Sequence, residues 1–154
     1  MNNRTLLRVL LVLTLCYAGL SAIAYLSMSV MQPLLAEGYS AYASHFPSEF
    51  YSVLEVLCNA PRSYFLLTSV CYLLEVVGAI LMWRPRAAGF HCYAIARLLL
   101  ILAPALFLGR AFIGLGDIMF ALLYIALYYY LLRQLGIFGS KADASATPPD
   151  NLPQ

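Results

Sequence analysis

Residues 64–108 read YFLLTSVCYLLEVVGAILMWRPRAAGFHCYAIARLLLILAPALFL. Two apolar runs, Tyr64–Trp83 and Ala87–Leu108, flank the basic triplet Arg84-Pro85-Arg86, and each carries one charge near its middle: Glu75 in the first, Arg97 in the second. Each run reaches the ~20 residues that cross a ~30 Å hydrocarbon core at about 1.5 Å per residue. So short a hinge makes the two runs antiparallel neighbours. A charge in mid-membrane is costly and is rarely left facing lipid. Glu75 lies nine residues before Arg84, hence ~13.5 Å in, and Arg97 lies eleven after Arg86, hence ~16.5 Å in. Opposite charges within one helical turn of the same height predict a buried ion pair between the two helices.

Two further runs, Leu6–Met31 and about 112–132, complete four spans. The 154 residues are 63% hydrophobic and 10% charged, far below the ~25% charge of a soluble domain. The fold class expected is therefore an all-α integral membrane four-helix bundle. A net charge of +2, scattered along the chain, offers nothing to nucleic acid. With the N-terminus inside, Arg4, Arg8, Arg84, Arg86, Arg133 and Lys141 are cytoplasmic and Arg62 and Arg110 are outside, six against two, which sets both termini in the cytoplasm by the positive-inside rule. Ala22-Ile23-Ala24 resembles a signal-peptidase site, but apolar residues continue to Met31, so the first span is read as uncleaved. Residues 32–62 form an outer loop. Within it Pro47-Ser48 starts a short amphipathic helix, with Phe50, Val53, Leu54 and Leu57 on one face and Glu49, Ser52 and Glu55 on the other, until Pro61 breaks it. Residues 1–138 make one domain, and 139–154, rich in Ala, Ser, Asp and Pro, make a disordered cytoplasmic tail.

All four spans place a polar group near mid-depth, because Tyr17 is nine residues after Arg8 and Tyr124 nine before Arg133. Each also carries a stripe of polar or small residues at spacings of three and four, which share one helix face. These stripes are Thr14, Ala18, Ser21 and Tyr25; Thr68, Cys71, Tyr72, Glu75 and Gly78; Tyr93, Arg97, Ile101 and Pro104; and Asp117, Ala121, Tyr124 and Tyr128. The expected buried polar layer is Glu75, Arg97, Tyr17, Tyr72, Tyr93 and Tyr124. Its structural role would be to fix helix register, since a wrong register strands a charge in lipid. Its functional role would be to bind a polar ligand or relay protons.

Gly114-Leu115-Gly116-Asp117 resembles the GxGD signature of the intramembrane aspartyl proteases, the presenilin and signal-peptide-peptidase group, and Pro104-Ala105-Leu106 resembles their PAL tripeptide. The resemblance would make Asp117 one of two catalytic aspartates. That chemistry needs two carboxylates sharing a proton. Here the other aspartates, Asp143 and Asp150, are in the tail, Glu75 is at mid-depth, and Asp117, 16 residues from Arg133, is ~24 Å in. PAL also precedes GxGD, whereas the family has it after. The expectation is no protease; instead Asp117 caps the fourth helix and pairs with Arg110 at the outer face.

Cys16, Cys58, Cys71 and Cys92 show no CxxC or zinc-ligand spacing and read as small buried hydrophobes. His91 reads as interfacial rather than as a metal ligand. Trp83, Tyr128, Tyr129 and Tyr130 read as an inner aromatic belt. No metal site and no cofactor motif are expected. The opening of the third span, Arg86-Ala87-Ala88-Gly89-Phe90-His91-Cys92-Tyr93, sets a basic residue before Gly-Phe and a tyrosine. It resembles small four-span membrane proteins of Bacteroidota-type bacteria that carry such a pattern at the same place. The resemblance implies the four-span layout and, the family being uncharacterised, no activity. The function expected is that of a structural or accessory subunit of the bacterial cytoplasmic membrane, its partners the lipid bilayer and other membrane subunits, not an enzyme. The alternative is a small carrier or ligand-binding protein using the polar layer.

Overall fold

A backbone inside a bilayer must satisfy its own hydrogen bonds, which leaves helices or closed barrels as the solutions. This chain takes helices. A computed structural model describes residues 3–42, 55–56, 58–84, 86–109 and 114–138. Four long helices occupy them, without a strand among the described residues: α1 (Asn3–Tyr42), α2 (Arg62–Trp83), α3 (Ala87–Phe107) and α4 (Leu115–Gln134). All four are long and apolar enough to span a membrane. Leu20, Ile23, Leu66, Val70, Ile80, Leu98, Leu106 and Leu122 all point outward, which in water would be an untenable apolar surface and in a bilayer is the lipid face. The chain fits a multi-pass membrane protein. Arg8, Arg84, Arg86 and Arg133 are exposed at one end of the bundle, here termed the basic end; Arg62 and Asp117 mark the far end.

The first helix corrects one expectation. It does not stop at Met31 but continues to Tyr42, through what was expected to be the start of the outer loop. Pro33 lies inside it; proline is tolerated in membrane helices because neighbours re-satisfy the backbone group it frees. The extension is anchored from outside: Gln32 Nε2 donates to the Cys58 carbonyl at 3.0 Å, and Cys58 Sγ donates to the Leu35 carbonyl at 3.8 Å. Burial pushes the Cys58 thiol up from its ordinary value. At 40 residues α1 is about 60 Å long, twice the thickness of a hydrocarbon core. Of the expected amphipathic outer helix, Glu55, Val56, Cys58 and Asn59 are helical and Glu55 is exposed, as its polar face requires. Its start at Pro47-Ser48 and the residues Glu49, Phe50, Ser52, Val53, Leu54 and Leu57 lie outside the described residues, as does the 139–154 tail.

Helices α2 and α3 touch backbone to backbone near the basic end, and two glycines are the reason. A Cβ on Gly78 would sit 2.7 Å from the Tyr93 nitrogen, and one on Gly89 would sit 2.7 Å from the Met82 nitrogen and 2.9 Å from the Gly78 carbonyl oxygen. Small residues permit this approach in lipid, where packing and polar contacts replace the hydrophobic drive. Helix α1 lies along α2 with Ala18 and Ala22 buried, and Ser69 Oγ donates to the Ala22 carbonyl at 2.9 Å. Helix α4 joins through its second half. Tyr128, Leu131 and Leu132 are buried in one cluster with Leu7, Leu11, Ala79, Met82, Phe90 and Tyr93. At its end Gly136, at φ 77°, forms the αL stop, with Ile137 N–H bonding the Leu132 carbonyl and Gly136 N–H the Arg133 carbonyl. This turn swings Phe138 onto Phe90, His91 and Tyr129.

Three smaller expectations change. Tyr128 is not part of an aromatic belt: it is fully buried, because Thr14 offers its hydroxyl a partner at 2.7 Å, whereas Trp83, Tyr129 and Tyr130 do face outward. Cys16 is exposed rather than buried, Cys58 and Cys92 are half-buried, and Cys71 alone of the four is buried. Helix α4 begins at Leu115, with Gly114 in extended conformation as its N-cap, so Asp117 is not the cap but the third helical residue. Its carboxylate folds back over Gly114, where an added Cβ would meet Asp117 Oδ2 at 2.6 Å, and still lies at the positive end of the helix dipole.

Candidate functional site

The polar layer assembles around Arg97. Its Nη2 stands 2.9 Å from Glu75 Oε1, with the arginine side chain 17% exposed and the glutamate 0%. Its Nε donates to the Tyr93 hydroxyl at 3.2 Å, one helical turn back on α3. The guanidinium carbon lies 5.6 Å from the ring centre of Tyr17, 5.7 Å from that of Tyr93 and 5.9 Å from that of Tyr124, within the ~6 Å over which an aromatic face attracts a cation. Tyr72 joins through its hydroxyl, 3.3 Å from that of Tyr17. All six residues expected in the layer are therefore in one constellation, drawn from all four helices, but the layer is not buried throughout: Tyr17 is half exposed, because it sits on the outer edge of α1 with only its hydroxyl and one ring face turned to the cluster.

The ion pair is a contact by distance rather than a straight hydrogen bond. Among the described residues neither carboxylate oxygen of Glu75 has an aligned donor, although Oε1 is within reach of Arg97. Such a pair holds by charge in a low-dielectric interior, and breaking it strands a charge there.

Above this layer, toward the far end, the bundle opens. A cavity of ≈ 740 Å³ is lined on α1 by Leu13, Thr14, Tyr17 and Tyr25, on α2 by Tyr64, Thr68 and Tyr72, on α3 by Arg97, Leu100, Ile101 and Pro104, with Leu108 just after it, and on α4 by Asp117, Phe120, Ala121 and Tyr124, with Gly114 just before it. Its depth follows from α4: Tyr124 at the floor is seven residues from Asp117 at the mouth, about 10 Å of helix. The tyrosines line it as a continuous set, with Tyr25 stacked on Tyr72 at 5.5 Å and edge-on to Tyr64 at 6.4 Å. Below Arg97 it is closed by Tyr93, edge-on to Tyr128 at 5.0 Å, and by the Thr14–Tyr128 hydrogen bond.

The chain matches no protein-family model, no curated protein and no solved structure. What it can do must be read from its own geometry. Asp117 is exposed at the mouth and Glu75 is not part of the cavity wall, so the two acids do not share a proton as an aspartyl dyad must. Arg110, the partner expected for Asp117, lies outside the described residues. His91 is exposed beside Phe90 and Phe138, and among the described residues no three His, Cys, Asp or Glu side chains converge on a metal-sized point.

Sequence reasoning missed the cavity and Tyr64. The signal was present: Tyr64, Thr68 and Tyr72 repeat every four residues and continue the α2 stripe toward the far end. What periodicity could not give is that the stripes of α3 and α4 face each other across a gap there instead of touching.

Proposed function

We propose that this chain is a non-enzymatic multi-pass protein of a bacterial cytoplasmic membrane that holds an amphipathic small molecule in its tyrosine-lined cavity. The supporting observation is the cavity itself: ≈ 740 Å³ of space walled by one arginine and five tyrosines, with Tyr17, Tyr72 and Tyr124 near its floor and Tyr25 and Tyr64 higher in the wall. Ligand sites are concave and mostly apolar, with a few convergent polar groups, and this one has that make-up. Beneath it the Glu75–Arg97 pair keeps α2 and α3 in register, so the structural role becomes support for the site. The basic end faces the cytoplasm by the positive-inside rule, with both termini there and the cavity mouth outside.

The test is gentle extraction from native membranes followed by native mass spectrometry. The expected result is a bound non-protein mass that is lost or sharply reduced in the Ala121→Phe variant, which pushes a ring from the wall into the cavity. A protein that arrives with no such mass contradicts the reading. A second reading, an accessory subunit of a larger assembly, is favoured by the far half of α4, where Leu115, Met119, Phe120, Leu122 and Leu123 are all exposed. A stoichiometric protein partner in the same spectrum would support it.

A further inference from the structure

The cavity's charge balance and its open side say what kind of molecule it suits. The one cation in its wall among the described residues, Arg97, already faces the Glu75 carboxylate at 2.9 Å. Asp117 adds a negative charge at the mouth, and Arg62, exposed at that end, is not part of the wall. An anionic head would thus bring a net unmatched charge to mid-membrane depth, and a cationic head would face the guanidinium; either is costly away from water. A neutral acceptor meets neither penalty. A guanidinium carries more donors than Tyr93 and Glu75 use, and it has no acceptor of its own.

The route of entry agrees. On the basic side α1 and α4 are joined by Thr14 with Tyr128 and by Leu7 and Leu11 packed with Leu131 and Leu132. Beside this seam Leu13, and above it Tyr17 on α1 and Phe120 on α4, line the cavity and are all more than half exposed, at 57%, 51% and 64%. Lining residues exposed on the bundle's outer surface would meet acyl chains in a bilayer, which offers a molecule dissolved there a route in without crossing water.

We propose, resting on the ligand-holding reading, that the cavity takes an uncharged lipid-soluble molecule with a carbonyl head, which accepts hydrogen bonds from Arg97 and the Tyr17 hydroxyl while its tail leaves between Tyr17 and Phe120. The experiment offers the protein in phosphatidylcholine nanodiscs an equimolar mixture of 2-dodecanone, dodecanoate and dodecylamine, resolved by native mass spectrometry. The ketone is retained at one per chain, at least ~10-fold over either charged probe. Tyr17→Phe, at a half-exposed position that leaves the packing intact, lowers ketone retention ~3- to 10-fold. Glu75→Gln uncovers the guanidinium and turns the preference toward dodecanoate. Dodecanoate or dodecylamine binding best to the unaltered protein overturns the neutral-head proposal and leaves the ligand-holding reading standing. No retention of any probe, or retention that Ala121→Phe does not change, overturns the ligand-holding reading itself. If the Glu75 variant does not fold, the probe ranking and the Tyr17 variant decide alone.

Discussion

The basic half and the far half of this bundle are built from the same four helices, yet one is sealed and the other holds a cavity. At the basic half Gly78 and Gly89 let α2 and α3 meet backbone to backbone, and the last turn of α4 carries Leu131, Leu132 and the buried Tyr128 into the gap that remains. At the far half the cavity is lined by Tyr25, Tyr64, Tyr72 and Tyr124 with Pro104 and Leu108; Tyr25, Tyr64 and Tyr72 pack against one another, while Tyr124 of α4 stands across the cavity from them. Residue size along each stripe, rather than apolarity, decides which half closes. Arg97 and Glu75 sit at the boundary.

Breaking that boundary should have the largest effect. Glu75→Ala and Arg97→Ala should each cost ~3–5 kcal/mol of stability in a denaturant titration, because each leaves a buried charge unpaired. The double variant should lose less than the sum of the two, and a Glu75→Ala protein of unchanged stability would refute the register role. Next come the glycines. Gly78→Ala and Gly89→Ala should each cost about 1–3 kcal/mol by overpacking, since backbone atoms and not side-chain tips oppose the added Cβ. Gly19→Ala, in open space on α1, should be neutral or stabilising by about 0.5–1 kcal/mol. Smallest is the hydroxyl contrast. Tyr128→Phe leaves the Thr14 hydroxyl without its buried partner and should cost ~1 kcal/mol, whereas Tyr124→Phe, at the cavity floor, should leave stability unchanged. Equal losses at the two tyrosines would mean the halves do not differ.

The four helices and the mid-depth constellation were legible because both follow from counting. Span length, the short Arg84–Arg86 hinge and nine- or eleven-residue offsets from terminal arginines fix height, and spacings of three and four fix face; together they brought Tyr17, Tyr72, Glu75, Tyr93, Arg97 and Tyr124 to one level. Boundaries were less legible. The outer loop was expected to begin at residue 32, but a membrane helix carries Pro33, and Gln32 bonded to Cys58 secures the extension. At α4 the start moved to Leu115 because Gly114, extended, serves as the cap. Tyr128 had two readings, one of the tyrosine belt and one of the α4 stripe with Ala121 and Tyr124; the stripe was right, and the hydroxyl's partner, Thr14, 114 residues away, is what no local pattern reveals. The cavity was least legible of all, since it depends on how far apart two stripes stand rather than on where each one faces.

The central claim, an open far half above a sealed basic half, is tested most directly by chemical access to two matched positions. In a protein whose four native cysteines are replaced by alanine, Ile101→Cys places a thiol in the cavity wall and Leu131→Cys places one in the buried cluster of the basic half. Both are exposed to methyl methanethiosulfonate, which is small and uncharged, and modification is read by mass. The structure predicts rapid modification at position 101 and protection at position 131. Equal rates at the two positions, or protection at 101, would contradict it.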